Sequence, residues 1–366
     1  ATLLQDELVR HFPVTVIAGV LDKPGILDKG NRTIVDHLIP DYRILESSSY
    51  LYGVDNAYIG YATRGCPNRC PFCAVRTLEP QFIDYMPLRN QVKGIEAVYG
   101  PKRDLLLLDN NVLASNKFSE IIRDLLDLGF ERGAQFEGRE RRLDFNQGLD
   151  ARRLTKDKMR LLARTALKPM RLAFDDSRLR KTYVQCIKLA AECGITKHST
   201  YVLYNYRETP RDFYMRLRLN AQLNEKLGTR ISSFPMRYIP LASKGRGFVG
   251  RHWSKRLLHG VQCILLATRG MVSPHREFFE AAFGSSPEEF LQIAIMPEPY
   301  IIYRRDHETN GASDWSSLYK RLGKNQRTRF LEVVGKGRVS EQEVVGESSL
   351  TLKRILSHYV EAERRK

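Results

Sequence analysis

The chain has 366 residues, 42% of them hydrophobic, with 59 Lys and Arg against 42 Asp and Glu, a net charge of +17. That length buries a large core, as two domains or one large barrel, and no apolar run reaches the ~18 residues of a membrane span. Six cysteines in so long a chain do not make a disulfide scaffold. Three crowd between Cys66 and Cys73, while Cys186, Cys193 and Cys263 are scattered. The pattern favours a metal site in a reducing compartment, with the cytoplasm as the expected location. The basic excess suits a polyanionic partner, since Lys and Arg displace counterions from phosphate backbones. A solvated basic surface is the plain alternative, because no recognisable RNA- or DNA-binding module accompanies the charge.

The opening Ala1-Thr-Leu-Leu-Gln5 lacks the basic start and continuous apolar region of a signal peptide. It also lacks an initiator Met, which is compatible with a trimmed chain and an upstream segment. Val14–Val20 reads as a buried strand, and Asp36–Leu45 as a short helix or loop. Residues 1–56 thus read as a short N-terminal α/β segment, too short for a complete nucleotide-binding domain.

From residue 57 strand-like and helix-like pieces alternate. The strand candidates are Ala57–Ala62, Asp104–Leu108, Leu143–Phe145, Met170–Phe174, Ser199–Tyr204 and Ile231–Ile239. Between them Asn116–Leu128, Thr155–Arg164, Leu179–Cys193 and Pro210–Leu227 carry apolar residues at helical spacing. Such alternation predicts parallel strands joined by helical crossovers. The expectation is an α/β fold, a partial (β/α)6 TIM-type barrel over residues 57–241. Its polar segments after the strands should converge at the carboxyl edge. Residues 242–366 open on a basic, glycine-rich loop, Lys244–Trp253. Helices are then expected at 254–267, 275–283, 287–294, 313–334 and 340–363, a mainly helical C-terminal extension. The apolar runs Leu105–Leu108 and Cys263–Ala267 have the length of buried strands.

Cys66-Pro-Asn-Arg-Cys70-Pro-Phe-Cys73 follows the first strand directly. Thiolates suit iron–sulfur clusters or zinc. Structural zinc usually takes four protein ligands, and no fourth cysteine or histidine lies near. Three ligands leave one metal position open, as a catalytic cluster requires. Zinc and free thiols are the plain alternatives.

The stretch Tyr58-Ile-Gly-Tyr-Ala-Thr-Arg-Gly-Cys66-Pro-Asn-Arg-Cys70-Pro-Phe-Cys73 closely resembles the signature of radical S-adenosylmethionine (SAM) enzymes. It is nearest in style to cobalamin-domain members and their methylthiotransferase relatives. The resemblance implies a [4Fe–4S] cluster on Cys66, Cys70 and Cys73, with SAM chelating the fourth iron and Phe72 against the adenine. The segments Leu107–Asn111, Asn146–Asp150, Leu172–Ser177 and Tyr201–Thr209 resemble later barrel motifs of the family. They imply SAM contacts from Asp109, Asn110, Gln147, Asp150, Asp175 and Tyr204. The implied chemistry is reductive cleavage of SAM to a 5′-deoxyadenosyl radical that abstracts hydrogen from an unidentified substrate. A separate electron donor such as flavodoxin or ferredoxin is implied with it.

Some positions depart from the family pattern. Asp175 stands where the family often has glutamate, and Tyr204–Tyr206 replace Gly-Leu-Pro, so a reshaped adenine pocket is expected. Asp36-His37 lacks the spacing of a cobalamin-binding motif. Cys186, Cys193 and Cys263 lack the grouping of a methylthiotransferase's second cluster.

Each candidate has a simpler reading. The acidic residues after strands also cap the next helix, and Tyr238 reads as a core aromatic. Cys186 and Cys193 share a helix face and read as buried. His252 and Trp253 suit packing better than base stacking, and the histidines show no ligand spacing. Basic groups recur at Arg139–Arg142, Arg152–Arg153, Lys244–Arg256 and Arg364–Lys366, a phosphate-binding surface if they share a face. Two functions remain: a radical SAM enzyme, acting on a nucleic acid or nucleotide if the charge reports the substrate, or an iron–sulfur nucleic-acid or partner-binding module without turnover. SAM cleavage separates them.

Overall fold

The computed structural model describes residues 10–11, 38–43, 56–243, 245–302 and 311–364. The strand expected at Val14–Val20 lies outside these residues, as do Asp36, His37, Ile44 and Leu45 of the next segment, and Lys244, Arg365 and Lys366. Two compact units divide the chain: one runs to Ala173 and includes Arg180–Ser199, the other comprises Phe174–Leu179 and everything from Thr200.

In chain order the first unit contains β1 (Ala57–Gly60), α1 (Val75–Leu78), α2 (Leu88–Tyr99), β2 (Asp104–Leu107), α3 (Phe118–Asp127), β3 (Gln135–Phe136), β4 (Arg139–Glu140), β5 (Leu143–Phe145), α4 (Lys156–Leu162), β6 (Met170–Ala173) and α5 (Arg180–Glu192). Strands β1, β2 and β5 form a parallel sheet in the order β1–β2–β5. Ala57 faces Asp104 and Gly60 faces Leu107, while Leu105 faces Leu143 and Leu107 faces Phe145. A parallel sheet needs cover, and helix α2 packs against β1. Helix α3 buries Phe118, Ile121, Ile122 and Leu125, the spacing of one helical face.

Besides the short helices α1 and Glu298–Ile302, one helix and one hairpin were not expected. Helix α2 buries Leu88, Val92 and Ile95, but Gly94 weakens its local signal, since glycine costs ~1 kcal/mol in a helix interior. The β3–β4 hairpin turns at Glu137 (φ 50°) and Gly138 (φ 73°), the left-handed pair that a tight two-residue turn demands.

Strand β7 (Lys197–Tyr204) carries the chain from the first unit into the second. The second sheet has the order β6–β7–β8, with β8 at Arg230–Arg237. The second unit adds α6 (Pro210–Leu227), α7 (Lys255–Ala267), α8 (Arg276–Phe283), α9 (Pro287–Ile295), α10 (Glu298–Ile302), α11 (Ser313–Arg321), α12 (Lys324–Gly335), α13 (Glu341–Val345) and α14 (Leu350–Arg364). Helix α6 starts on a Thr209–Asp212 capping box with Pro210 in its first turn, and stops at left-handed Gly228. One core runs from Val202 and Tyr204 through Phe290 and Trp315 to Tyr359. The C-terminal helices therefore share a core with β7 and α6, and the compact units do not coincide with the expected division at 241/242.

Other boundaries also move. The helix expected at 313–334 is two helices, α11 and α12, meeting at Leu322–Gly323. That expected at 340–363 is α13 and α14, the first capped by Gly346. The strand-length run Cys263–Ala267 is the end of helix α7. The molecule is a mixed α/β protein with parallel strands. Among the described residues no helix is long and apolar enough to cross a membrane.

Candidate functional site

The cysteine loop leaves the carboxyl end of β1 and is held on several sides. Arg64 and Ile83 exchange backbone hydrogen bonds at 3.2 and 2.9 Å, and Met86 N–H donates to the Ala62 carbonyl at 2.7 Å. Glu79 takes the Arg64 guanidinium at 2.5 Å, the Gly65 amide at 2.8 Å and the Asn110 amide at 2.9 Å. Gly65 sits at φ +69°, and a Cβ there would lie 2.0 Å from the Gln81 carbonyl oxygen. Only glycine fits just before Cys66.

Beneath the loop lies Asp109, which follows β2 and is 1% exposed. Its carboxylate accepts the Ala62 amide at 3.0 Å, the Thr63 amide at 2.5 Å and the Thr63 hydroxyl at 2.7 Å. Burial pushes its pKa up to about 6, against these hydrogen bonds. Asp109 is a structural anchor for the loop, with its carboxylate turned inward.

The three thiols are partly exposed. Cys73 N–H donates to the Cys70 carbonyl at 3.1 Å, which curls the second half of the loop. Phe72, between these cysteines, is half-buried. Asn111, one residue beyond Asn110, donates its amide to Cys66 Sγ at 3.4 Å and to Asp150 at 3.3 Å. Asp150, reached from the end of β5, also accepts Asn68 from inside the cysteine loop at 2.7 Å. Arg152 grips both oxygens of Asp150 at 2.8 and 2.9 Å. Burial works against the Asp150 charge, but the bonds from Arg152 and Asn68 hold its pKa below the usual range. Arg152 is held protonated by Asp150, with Cys70 beside it adding to the effect.

The segments after β1, β2 and β5 thus meet at one edge of the parallel sheet, as ligand-binding loops do in such sheets. Cys66, Asn68, Asn111, Asp150 and Arg152 form one connected group. Gln147, expected to join it, is exposed and bonds weakly to neighbouring Asn146 at 3.4 Å. The simpler reading of Asp150 also holds: it caps the short turn Ala151–Arg153.

Asp175 and Tyr204 belong to the second unit. Asp175 accepts the Leu203 amide at 3.1 Å. Tyr204 is 5% exposed and packs against Phe213 and Trp253, with ring centroids 5.1 and 5.5 Å away. Burial raises its pKa to about 12. Both line a small recess with Tyr206, Glu208 and Arg216. Trp253 is core, with its indole donating to the Glu208 carbonyl at 2.9 Å.

Asn68 and Glu79 carry no sequence signal of their own, Asn111 stands only as the end of the Leu107–Asn111 segment, and Arg152 only as part of a basic group. Asn68 and Asn111 lie inside marked segments, so only their polarity beside the cysteines points to them. Some expected phosphate-binding cations have other duties. Arg141 lies 3.8 Å over the Phe130 ring and donates to the carbonyls of Arg103, Leu128, Gly129 and Lys102.

The donor chemistry fits a soft metal group. Three thiols share one loop, and the Asn111 amide donates to the first of them, Cys66. The first unit is therefore an α/β scaffold presenting a three-thiol loop at the carboxyl edge of a parallel sheet. No family model matches the chain, and no curated protein matches its sequence.

Proposed function

We propose that the chain is a radical SAM enzyme, with Cys66, Cys70 and Cys73 holding a [4Fe–4S] cluster and SAM completing the open iron. The observation that carries this reading is the convergence of Asn111 on Cys66, and of Asn68 and Arg152 on Asp150, at the edge where the cysteine loop leaves β1. An N–H donor aimed at sulfur stabilises a cluster's negative charge and tunes its potential. When bound, the pair supplies one-electron cleavage of the sulfonium carbon–sulfur bond and hydrogen abstraction from substrate. The protein's own residues orient and shield. Asp109 and Glu79 lock the loop, Asp150 with Asn68 and Arg152 builds a polar wall beside it, and Phe72 offers an aromatic face. The fold that suits this activity is the partial (β/α)6 barrel, supported by the alternation of six strands with helices along the chain. The net charge of +17 favours a nucleic acid or nucleotide as substrate, and a flavodoxin- or ferredoxin-type donor supplies the electron.

Anaerobic reconstitution with iron and sulfide, then reduction with SAM, tests the reading by formation of 5′-deoxyadenosine. The nucleoside should appear with wild type and vanish when Cys66, Cys70 and Cys73 are changed to alanine. A cluster that leaves SAM intact with tRNA and DNA present overturns the enzyme reading in favour of a binding module, and failure to form any cluster overturns both.

A further inference from the structure

A second set of metal-type donors lies within the second unit, where the sequence showed no histidine at ligand spacing. His259 and Cys263 stand four apart on α7, hence on one face of that helix. Glu298 opens α10. One donor atom from each of the three lies within 4.8 Å of the others, the one such group among the described residues. His259 Nε2 is 3.0 Å from a Glu298 oxygen and 3.5 Å from Cys263 Sγ.

Two readings fit a cysteine, a histidine and a carboxylate in contact. In a relay, the carboxylate orients the ring through one nitrogen and the thiol meets the other. Here thiol and carboxylate approach the same nitrogen, so no proton can pass through the ring from one to the other. Three Lewis bases pointing at one place is instead the arrangement of a coordination site.

The scaffold around it is rigid. A Cβ on Gly260 would lie 1.8 Å from the Ala294 carbonyl oxygen, so α7 and α9 touch backbone to backbone. Arg256, 6% exposed, donates to the carbonyls of Ile295 and Met296 at the end of α9. These contacts fix the Pro297–Glu298 turn against α7. Cys263 is buried, while His259 and Glu298 are partly exposed. They border a cleft of about 460 Å³ that Lys255 and Arg338 also line.

We infer that His259, Cys263 and Glu298 form a binding site for a zinc-class divalent cation. Nitrogen, sulfur and carboxylate oxygen are the donor types that zinc takes, and three protein ligands leave its fourth position open. Binding displaces the Cys263 thiol proton and the proton shared by His259 and Glu298. Thiolate and carboxylate then cancel the ion's two charges, so the neighbouring Lys255 and Arg338 face a neutral centre. The open position faces the basic cleft, where water or a small anion completes the shell.

The test uses the full chain carrying Cys66→Ala, Cys70→Ala and Cys73→Ala, which removes the other thiol site. Cobalt(II) titration reports a bound thiolate through its near-ultraviolet charge-transfer band, and zinc is counted by mass spectrometry after desalting. About one zinc per chain should be retained, the cobalt band should form, and both should be lost on adding His259→Ala or Cys263→Ser, with circular dichroism showing that the fold persists. Wild type should lose the same one equivalent on His259→Ala, which covers misfolding of the multiple variant. Absence of the thiolate band in both backgrounds, or metal binding indifferent to His259→Ala, overturns the site. Neither result bears on SAM cleavage.

Discussion

The side-chain amide of Asn111 donates to Cys66 Sγ at 3.4 Å, across 45 positions of sequence. The same amide reaches Asp150 at 3.3 Å, so one residue after β2 joins the cysteine loop to the segment after β5. Asn111 is 2% exposed, and this placement is set by the parallel register of the three strands. It gives the sulfur a fixed donor that water would supply less well.

Removing that donor should be felt at the metal. Partners around metal ligands typically carry about 10–100-fold in affinity or activity, so Asn111→Ala should lower cluster retention or 5′-deoxyadenosine formation by that order. Gln147→Ala, at an exposed position, should change neither appreciably. Iron content and nucleoside yield of the two variants, reconstituted in parallel, make the comparison. Equal effects would remove Asn111 from the site.

Asp109→Ala should destabilise the loop and with it the first unit. The carboxylate offers oxygens to two backbone amides and a hydroxyl. Alanine removes both oxygens and leaves those buried donors without an acceptor. An unsatisfied buried donor costs about 1–3 kcal/mol, and Asp109 has no water route to relieve it at 1% exposure. Urea denaturation should show that loss, and Thr63→Val, which removes the hydroxyl alone, should cost less.

The parts of this arrangement differ in how far the sequence announces them. The cysteine spacing is local, so it reads directly from the chain. Asp109 was legible as a position but not as a direction: a carboxylate after a strand can face solvent, a ligand or, as here, its own loop. Asn68, Glu79 and Asn111 meet their partners 82, 31 and 45 positions away. Nothing near them in sequence encodes that. Helix α2 was hidden by Gly94 in its interior and by partly exposed neighbours. His259 and Cys263 stand four apart on one helix, but their third member lies 39 positions on from His259. The first unit's sheet was legible because apolar strands and amphipathic helices alternate. The second unit's boundary was not, because a core shared by β7 and α14 residues depends on packing across the whole segment.

Acid should destabilise the protein in part through His198. The residue is 3% exposed on β7, and burial pushes its pKa down to about 4 from 6.5. The folded protein keeps the ring neutral, while the unfolded chain protonates it below pH ~6.5. Its contribution is therefore full above that pH and is lost as pH falls toward 4, roughly 3 kcal/mol in all. Asp109 acts in the opposite sense: its pKa, raised to about 6, makes its contribution fullest below pH ~4 and lost as pH rises through 6. Urea midpoints at pH 7 and 4.5 should fall less for His198→Leu than for wild type, which isolates the histidine. An unchanged pH dependence would refute the assignment.

Gly260→Ala should be among the most damaging single-methyl changes in the chain. Its added carbon would sit 1.8 Å from the Ala294 carbonyl oxygen and 2.5 Å from the carbonyl carbon. Both are backbone atoms, which no side-chain rotation can move aside. Helix α7 must then shift from α9, opening contacts around Val261 and Ile264, both buried in the second unit's core. Overpacking of this kind costs about 1–3 kcal/mol and occasionally more. The same shift withdraws His259 and Cys263 from Glu298, so zinc retention should fall with stability. Gly245 and Gly247 have open space where a Cβ would stand, and alanine there should stay within about 0.5 kcal/mol of wild type. Thermal melts of the three variants, with zinc counted in each, separate the consequence of close helix packing from that of merely losing a glycine.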